Sequence, residues 1–352
     1  MRLLEVNSLS VSFPTEDGTV DAVRGLSFAV DEGQTLAVVG ESGSGKSVAT
    51  QTIVGLTRGA RISGRAMFDG QDLLTMGSAE LRAIRGAEIG MIFQDLLSSL
   101  HPYYRIGWQI AEMIRAHRDC TRKAAQDRAV ELLGLVGIPQ PAQRVRDYPH
   151  QFSGGMRQRA MIAMALALNP RLLIADEPTT ALDVTIQAQI LELIQRLQQD
   201  FGIAVILITH DLGVVAGIAD EVLVMYAGKA MEYASRRDLY YRPHHPYTIG
   251  LLESLPETGQ IGQRLRPIPG HPPSLINPPD GCPFHPRCRH VMARCRTDEP
   301  PLRRVAGELA HRSSCWLPVD LVGLGPDAAR GAFAAAHRPS EANLPSDRRA
   351  AS

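Results

Sequence analysis

Long apolar segments are missing from this chain of 352 residues. The longest apolar runs, over 161–168 and 203–208, are far too short to span a bilayer. The pattern of a signal peptide is missing too, because no charged start followed by an apolar stretch precedes the first alternating segment. We therefore expect a cytoplasmic chain, and a transport role would require separate membrane subunits.

Net charge is also absent, since 37 Lys and Arg residues balance 37 Asp and Glu residues. This balance removes the electrostatic argument for a dedicated nucleic-acid binder. Hydrophobic residues make up 44% and charged residues 21%, which is ordinary for a soluble globular protein. The length suits one large α/β domain with an appendage, or two modest domains.

The hydrophobic pattern predicts an α/β fold. Apolar and polar residues alternate over 3–13 and 20–30, as in antiparallel strands with one solvated face. Helical spacing over 107–117 and 121–137 predicts a small helical insertion, followed by a helix that begins near Ser153. The other predicted elements are strands at 34–39, 89–93, 172–175, 204–209, 222–226 and 229–233, and a helix at 185–200.

A phosphate-binding loop follows the strand at 34–39. Residues 40–47 read G-E-S-G-S-G-K-S and satisfy the pattern G-x-x-x-x-G-K-[ST], with a helix after them. Glycines let successive N–H groups point inward at phosphate oxygens, and the helix adds its positive N-terminal end. Lys46 would reach the β- and γ-phosphates, and the Ser47 hydroxyl would bind Mg²⁺. The candidate nucleotide-binding residues here are Gly40, Ser42, Gly43, Ser44, Gly45, Lys46 and Ser47.

Two carboxylates end the buried strand at 172–175. Asp176 is placed to hold Mg²⁺, directly or through water, and Glu177 to orient and deprotonate the attacking water. Adjacent carboxylates at a strand end are often only a solvated corner. Downstream of a phosphate-binding loop, and with Pro178 stopping the strand, the catalytic interpretation is favoured.

Four further motifs and an aromatic residue stand in the order and spacing of a known protein family. Residues 152–159 read F-S-G-G-M-R-Q-R, 92–95 read I-F-Q-D, 181–183 read A-L-D, and a histidine follows the strand at 204–209. Together with the loop and the carboxylates, they resemble the ABC ATPases over residues 1 to about 235. Phe152 and Met156 depart from the usual L-S-G-G-Q signature, but the central Ser-Gly-Gly is intact. The resemblance assigns adenine stacking to Phe13 and the sensing of Mg²⁺ and γ-phosphate to Gln94. It assigns the signature to Ser153, Gly154 and Gly155, the D-loop to residues 181–183 with Asp183, and the switch histidine to His210.

The resemblance implies a P-loop NTPase (RecA-like) core with an antiparallel β subdomain and a helical signature subdomain. It also implies two ATPase chains facing head to tail, with ATP between the loop of one and residues 153–155 of the other. The helical insertion would receive the coupling helices of two transmembrane permeases. Such a chain would be peripheral, on the cytoplasmic face of the inner membrane.

A second resemblance narrows the family. The runs H-P-Y-T at 245–248, P-I-P-G at 267–270 and G-C-P-F-H-P-R-C at 281–288 resemble the C-terminal region of oligopeptide and dipeptide importer ATPases. That resemblance implies peptide uptake, a related non-identical ATPase as partner, and an extracytoplasmic solute-binding protein acting through the permeases. Import of nickel or glutathione is an alternative. A soluble ABC ATPase acting on nucleic acid or ribosomes is a weaker one, since the chain has one loop and one signature.

Four of the five cysteines stand close together in this region, at Cys282, Cys288, Cys295 and Cys315. Four thiolates suit a tetrahedral zinc or an iron–sulfur cluster. The C-x₂₋₄-C knuckle usual for zinc is missing, so the spacing favours [4Fe-4S], which would staple a segment without its own core. The histidines nearby are expected to be solvated. Cys120 is interpreted as an ordinary helix residue.

Composition suggests the division of the chain. The ATPase domain is predicted over 1–241, with its helical subdomain at about 95–165. A Pro-rich, loop-rich C-terminal domain with the four cysteines follows over 242–320. The tail over 321–352 is rich in Ala, Arg, Pro and Ser and is expected to be disordered.

Overall fold

The computed structural model describes residues 1–95, 99–180, 182–255, 267–308 and 310–318. Two sheets organise this part of the chain. The strands are β1 (Arg2–Thr15), β2 (Gly18–Asp31), β3 (Thr35–Val39), β4 (Arg61–Phe68), β5 (Gln71–Asp72), β6 (Ile89–Ile92), β7 (Leu172–Asp176), β8 (Ala204–Thr209), β9 (Glu221–Tyr226), β10 (Lys229–Ser235), β11 (Arg303–Arg304) and β12 (Arg312–Ser313).

The α-helices lie between and after these strands. They are α1 (Lys46–Ile53), α2 (Ser78–Ile84), α3 (Ile106–His117), α4 (Arg122–Leu135), α5 (Pro141–Arg144), α6 (Gly154–Ala165), α7 (Val184–Phe201), α8 (Leu212–Ile218), α9 (Arg236–Tyr241) and α10 (Pro246–Glu253). Short 3₁₀ turns stand at Pro149–Gln151, His285–Arg287 and Ala293–Arg296.

The smaller sheet is antiparallel, in the order β2-β1-β4-β5, and the larger one has the order β11-β12-β10-β9-β3-β8-β7-β6. In the larger sheet, β6, β7, β8, β3 and β9 run parallel, and β10 and β12 extend it in antiparallel fashion. Strands β3, β7 and β8 are buried along their whole length, as parallel strands covered on both faces must be. The two sheets agree with the expected P-loop NTPase core and antiparallel β subdomain.

Most predicted elements are present within a residue or two of their expected bounds. The alternating segments form β1 and β2, and the two helical segments form α3 and α4, with Gly137 in the left-handed conformation after α4. Before residue 242, the sequence interpretation missed β4, β5, α2, α5, α8 and α9. Apart from β4, these elements have at most seven residues, and β4 buries only Ala66 and Phe68, so their hydrophobic patterns are short.

The C-terminal region has more structure than expected. Helix α10 buries Tyr247 and Leu252, and β12 pairs with β10 at the edge of the larger sheet. Its apolar residues join a core shared with the ATPase sheet, which also contains Cys282, Phe284 and Cys295. The loop-rich segment therefore lacks a separate core, because its apolar side chains pack on the main sheet. The tail over 321–352 lies outside the described residues, and the domain boundary at 241/242 stays a prediction.

Candidate functional site

The phosphate-binding loop connects β3 to α1 at the carboxyl end of the parallel strands. Gly40, Gly43 and Gly45 have φ angles of 156°, 78° and 94°, which side chains with a Cβ rarely adopt. At Gly45 a Cβ atom would also lie 2.2 Å from the carbonyl oxygen of Ala22. The loop glycines are therefore required by backbone conformation, and at Gly45 by close packing against β2 as well.

The loop is closed around the ammonium group of Lys46. Its Nζ donates to the carbonyl oxygens of Gly40, at 2.8 Å, and Glu41, at 3.0 Å. The side chain is 4% exposed. Burial lowers the pKa of Lys46, against the opposing charges of Glu177, Asp176 and Glu41. The structure thus holds a buried cation where the sequence predicts the phosphates.

A hydroxyl and a carboxylate meet beside this loop. Ser47, in the first turn of α1, donates from Oγ to Oδ1 of Asp176 at 2.8 Å, although 129 positions separate them. Asp176 ends β7 and is 2% exposed. Burial raises the pKa of its carboxyl group, while the hydrogen bond from Ser47 opposes that rise. Hydroxyl and carboxylate oxygens are the ligands that Mg²⁺ prefers, so the pair fits a magnesium ion bound with nucleotide.

Three side chains hold the neighbouring carboxylate. Glu177 Oε2 accepts from Gln94 Nε2 at 2.9 Å and from Thr180 Oγ1 at 2.8 Å. Nδ1 of His210 lies 3.6 Å from Oε1. Glu177 also has a φ of 46°, a strained conformation for a residue with a side chain, and such strain clusters at functional sites. The Thr180 hydroxyl therefore helps to orient this carboxylate, a role that the sequence motifs do not assign to it.

The signature forms the start of a different helix. Ser153 caps α6 by accepting from the N–H of Met156 at 3.3 Å, and Gly154 and Gly155 open the helix. A Cβ atom on Gly155 would lie 2.9 Å from Ile186 Cγ2, so this helix start packs closely on α7. Asp183 caps α7 by accepting from the N–H of Ile186 at 2.9 Å. Ser153 and Gly154 are exposed, with the positive end of α6 facing outward.

Phe13 stands in the hairpin of the smaller sheet. It lies on β1 opposite Val20, near the turn that joins β1 to β2, and is half-buried against the core of that sheet. Part of its ring is thus exposed, as a stacking surface requires. Of the D-loop run A-L-D, Ala181 lies outside the described residues, while Leu182 and Asp183 are described.

The four C-terminal cysteines line one small cavity. Burial, reinforced by their mutual repulsion, raises the pKa of Cys282 to about 12 and of Cys315 to about 11, and the pKa of Cys288 is raised in the same way. Over the described ranges, no three or more His, Cys, Asp or Glu side chains are grouped so as to hold a metal ion. The structure therefore supports neither the expected [4Fe-4S] cluster nor a zinc ion at these cysteines.

The histidines near the cysteines do not share one environment. His245 is 1% exposed, lines the same cavity, and accepts at Nδ1 from the N–H of Tyr247 at 3.0 Å. The expectation of a solvated His245 was therefore wrong, because the residue caps α10 inside the shared core. His290 and His271 are exposed, as expected. Cys120 is half-buried against the core of the helical subdomain, but it lies in the connection between α3 and α4, so the expectation of a helix residue was wrong.

In the part of the chain that the structure describes, none of the helices is both long and apolar enough to cross a bilayer.

Comparison with known proteins adds to this geometry. Residues 23–180 match the family model described as "ABC transporter", and residues 231–295 match "Oligopeptide/dipeptide transporter, C-terminal region". The oligopeptide transport ATP-binding protein OppD of Salmonella typhimurium is 51% identical over 90% of this chain and 94% of its own length. The dipeptide transport ATP-binding protein DppD of Bacillus subtilis is 52% identical over 90% of this chain and 95% of its own length.

A solved structure resembles about two thirds of the chain. The ATP-binding cassette MJ0796, in a dimeric post-hydrolysis state bound to ADP and Pi, superimposes with a TM-score of 0.61 at 25% identity. The match covers 67% of this chain and 99% of the cassette. About a third of this chain therefore lies outside the match, and the second family model begins in β10.

Proposed function

Because the chain belongs to the family of ABC transporter ATP-binding proteins that includes the oligopeptide and dipeptide systems, we propose that it powers peptide uptake through separate membrane permeases. It is an ATPase of the ABC type. The peptide part of the proposal rests on the match of residues 231–295, and the observation that carries its ATPase part is the arrangement at the carboxyl ends of β3 and β7. There Lys46 closes the loop, Ser47 meets Asp176 at 2.8 Å, and Gln94 and Thr180 orient Glu177.

In the proposed reaction the loop N–H groups and Lys46 bind the phosphates of ATP. Ser47 and Asp176 would hold Mg²⁺, which neutralises charge on the phosphates when it is bound. Glu177 orients a water molecule and takes its proton, and His210 stands on the other side of that carboxylate. Gln94, which directly follows an exposed Phe93, connects this site to the surface beside the helical subdomain.

The exposed signature supports a paired arrangement of two ATPase chains. Ser153 and Gly154 present a helix N-terminus outward, where it suits a phosphate held by another chain. We propose that a related, non-identical ATPase supplies the second half of each site. Phe13, at the edge of the β1–β2 hairpin, would stack on adenine.

A groove beside the helical subdomain suits the permeases. It measures about 860 Å³ and runs between α1, α2, β6 and α3, with apolar side chains that include Leu56, Phe93, Met113 and Met164. Leu56 and Phe93 are each 38% exposed, which is unusual for apolar residues this close together. We propose that an apolar permease segment occupies this groove, which would place the chain at the cytoplasmic face of the membrane.

The groove can be tested by charge insertion. Met113→Glu should prevent the chain from co-purifying with two multi-span permeases from native membranes. Ile62→Glu is the matched control, because Ile62 is 41% exposed but lies on β4 outside the groove. Co-purification of ribosomes or DNA-bound proteins instead would favour the soluble alternative. A nickel- or glutathione-binding protein among the captured subunits would replace peptide as the substrate.

The shared cavity of the four cysteines is the observation behind a cluster proposal. Four thiols line it, and in a [4Fe-4S] cube each thiolate binds a different iron. Burial raises the pKa of Cys282 and Cys315, so a bound cationic group would favour their thiolate forms. We propose that [4Fe-4S] is held by Cys282, Cys288, Cys295 and Cys315.

Iron and acid-labile sulfide assays on anaerobically purified protein test the cluster. Cys288→Ser should lower the iron and the sulfide content per chain. Cys120→Ser, in the helical subdomain, should leave both contents unchanged. One zinc per chain without sulfide would exclude the cluster.

Two substitutions test the ATPase assignment. Glu177→Gln should keep ATP binding and lose roughly 100-fold or more in turnover, the range for removal of a general base. Lys46→Ala should weaken ATP binding itself. Glu192→Gln on the exposed face of α7 serves as the control. Unchanged turnover in Glu177→Gln would refute the assigned base.

A further inference from the structure

An ion pair joins the C-terminal region to the phosphate-binding loop. Arg287 donates from Nη1 to Oε2 of Glu41 at 2.6 Å and from Nη2 to Oε1 at 3.0 Å. Glu41 is the second residue of the loop that begins at Gly40, and 246 positions separate the two partners. The geometry is the two-pronged one in which a guanidinium fixes a carboxylate in both position and orientation.

The arginine is held from its own side as well. Its Nε donates to the carbonyl oxygen of Pro269 at 2.9 Å and Nη2 to that of Ile268 at 3.3 Å. Nη1 also reaches the hydroxyl of Tyr226 at 3.2 Å. The side chain is 5% exposed, so this is not a surface ion pair that water would screen. The C-terminal region presents a preformed, fully bonded guanidinium to Glu41.

Glu41 passes this restraint to the nucleotide site. Its N–H donates to the hydroxyl of Tyr247, on α10, at 2.9 Å. Its carbonyl oxygen accepts from Lys46 Nζ at 3.0 Å and from the N–H of Ser44 at 3.2 Å. One residue thus has its side chain and its N–H held by the C-terminal region, while its carbonyl holds the phosphate-binding lysine.

We propose that Arg287 is a positioning residue for the phosphate-binding loop, acting through Glu41 to keep the loop in its nucleotide-binding shape. The proposal rests on the assignment of this loop to ATP. A loop already held in shape loses less conformational freedom when the ligand binds, so the restraint increases affinity. The C-terminal addition to the cassette would then set how tightly the motor holds ATP.

A positioning role and a merely structural one predict different measurements. If Arg287 only stabilises the fold, Arg287→Met should lower the melting temperature and leave the dissociation constant of Mg–ATP unchanged. If it positions the loop, Arg287→Met should raise that constant roughly tenfold, since ordering of the loop then accompanies binding. In steady state the KM for ATP should rise while kcat changes less than about threefold, the sign of a lost uniform binding interaction.

The test is a fluorescent-nucleotide titration on the full chain with Mg²⁺. The variants are Arg287→Met, Glu41→Gln and the double variant, with Arg287→Lys as the conservative change. Arg289→Met is the matched control, because Arg289 makes the same two-pronged contact to Glu253 at 2.7 and 3.0 Å but does not touch the loop. Glu41→Gln leaves the C-terminal region intact, so the test survives if Arg287→Met fails to fold.

The proposal expects Arg287→Met and Glu41→Gln each to lower the affinity for Mg–ATP, and the double variant to lower it no further than either single change. The affinity of Arg287→Lys should be intermediate, and that of Arg289→Met should equal that of the unchanged chain. Equal affinity in Glu41→Gln and the unchanged chain would overturn it. Additive losses in the double variant would overturn it too, since the residues would then act independently. Lys46→Ala tests the assignment of the loop to ATP separately from the role of Arg287. Loss of ATP binding in this variant supports the ATP site whatever the result for Arg287.

Discussion

Glu232 is a fully buried carboxylate in β10, and its replacement by glutamine should loosen the attachment of the C-terminal region. Oε1 accepts from His311 Nε2 at 2.7 Å and from the N–H of His244 at 2.6 Å, while Oε2 accepts from the N–H of His245 at 3.1 Å. These donors come from the β12 end and from the start of α10. A single carboxylate therefore ties both parts of the C-terminal region to the edge of the main sheet.

The cost of the substitution follows from this geometry. A glutamine amide has one acceptor oxygen, so in either orientation its NH₂ group faces at least one of the three donors. The variant loses a charge-assisted hydrogen bond and leaves a buried N–H without an acceptor, which together cost about 3 kcal/mol. If the C-terminal strand opens locally, each 1.4 kcal/mol is a factor of ten, so its amides should exchange roughly 100-fold faster.

Hydrogen exchange on the full chain measures this opening. The reporter is the N–H of Ser314, which donates to the carbonyl oxygen of Met231 at 2.8 Å. Glu253→Gln is the control, because Glu253 pairs with the half-exposed Arg289 and such a pair contributes at most about 1 kcal/mol. Unchanged exchange at Ser314 in Glu232→Gln would refute the reasoning, since the three donors would then have another way to be satisfied.

Three other substitutions have expected outcomes. Gly45→Ala should weaken Mg–ATP binding more than Gly43→Ala in a nucleotide titration, because both positions have positive φ but only Gly45 would place a Cβ atom 2.2 Å from the carbonyl oxygen of Ala22; equal effects would mean that strain alone matters. Asp183→Ala should lower the free energy of unfolding by about 1 kcal/mol in urea, through loss of the cap on α7. Arg171→Met should change it by less than about 1 kcal/mol, since its ion pairs are exposed.

The ATPase motifs could be placed from sequence because each one joins local elements whose geometry is fixed. Between a strand and a helix N-terminus, a glycine-rich segment such as residues 40–47 forms one continuous loop. The carboxyl ends of parallel strands also lie at the same edge of the sheet. The meeting of Ser47 and Asp176 follows from that rule. The hydrogen bond from the Thr180 hydroxyl to Glu177 does not follow from it, because the direction of the Thr180 side chain depends on the strained turn that starts at Glu177.

The C-terminal region was understood less well from sequence. Its prolines and histidines resemble those of a solvated loop in composition, and nothing periodic indicated that Tyr247 and His245 are buried. The four cysteines were expected to act together, and they do line one cavity. How they would share a metal group depends on distances that spacing along the chain does not determine.

The sequence by itself determined the ATPase: the loop, the carboxylates and the signature are runs of adjacent residues, and each run carries its own backbone geometry. Only the tertiary structure decided how the C-terminal region is joined to that ATPase. Arg287 meets Glu41 across 246 positions, and Glu232 gathers three donors from α10 and the β12 end. Such pairs depend on how distant segments pack around a shared core. A local sequence pattern does not identify which distant residue will pair with a buried charged side chain.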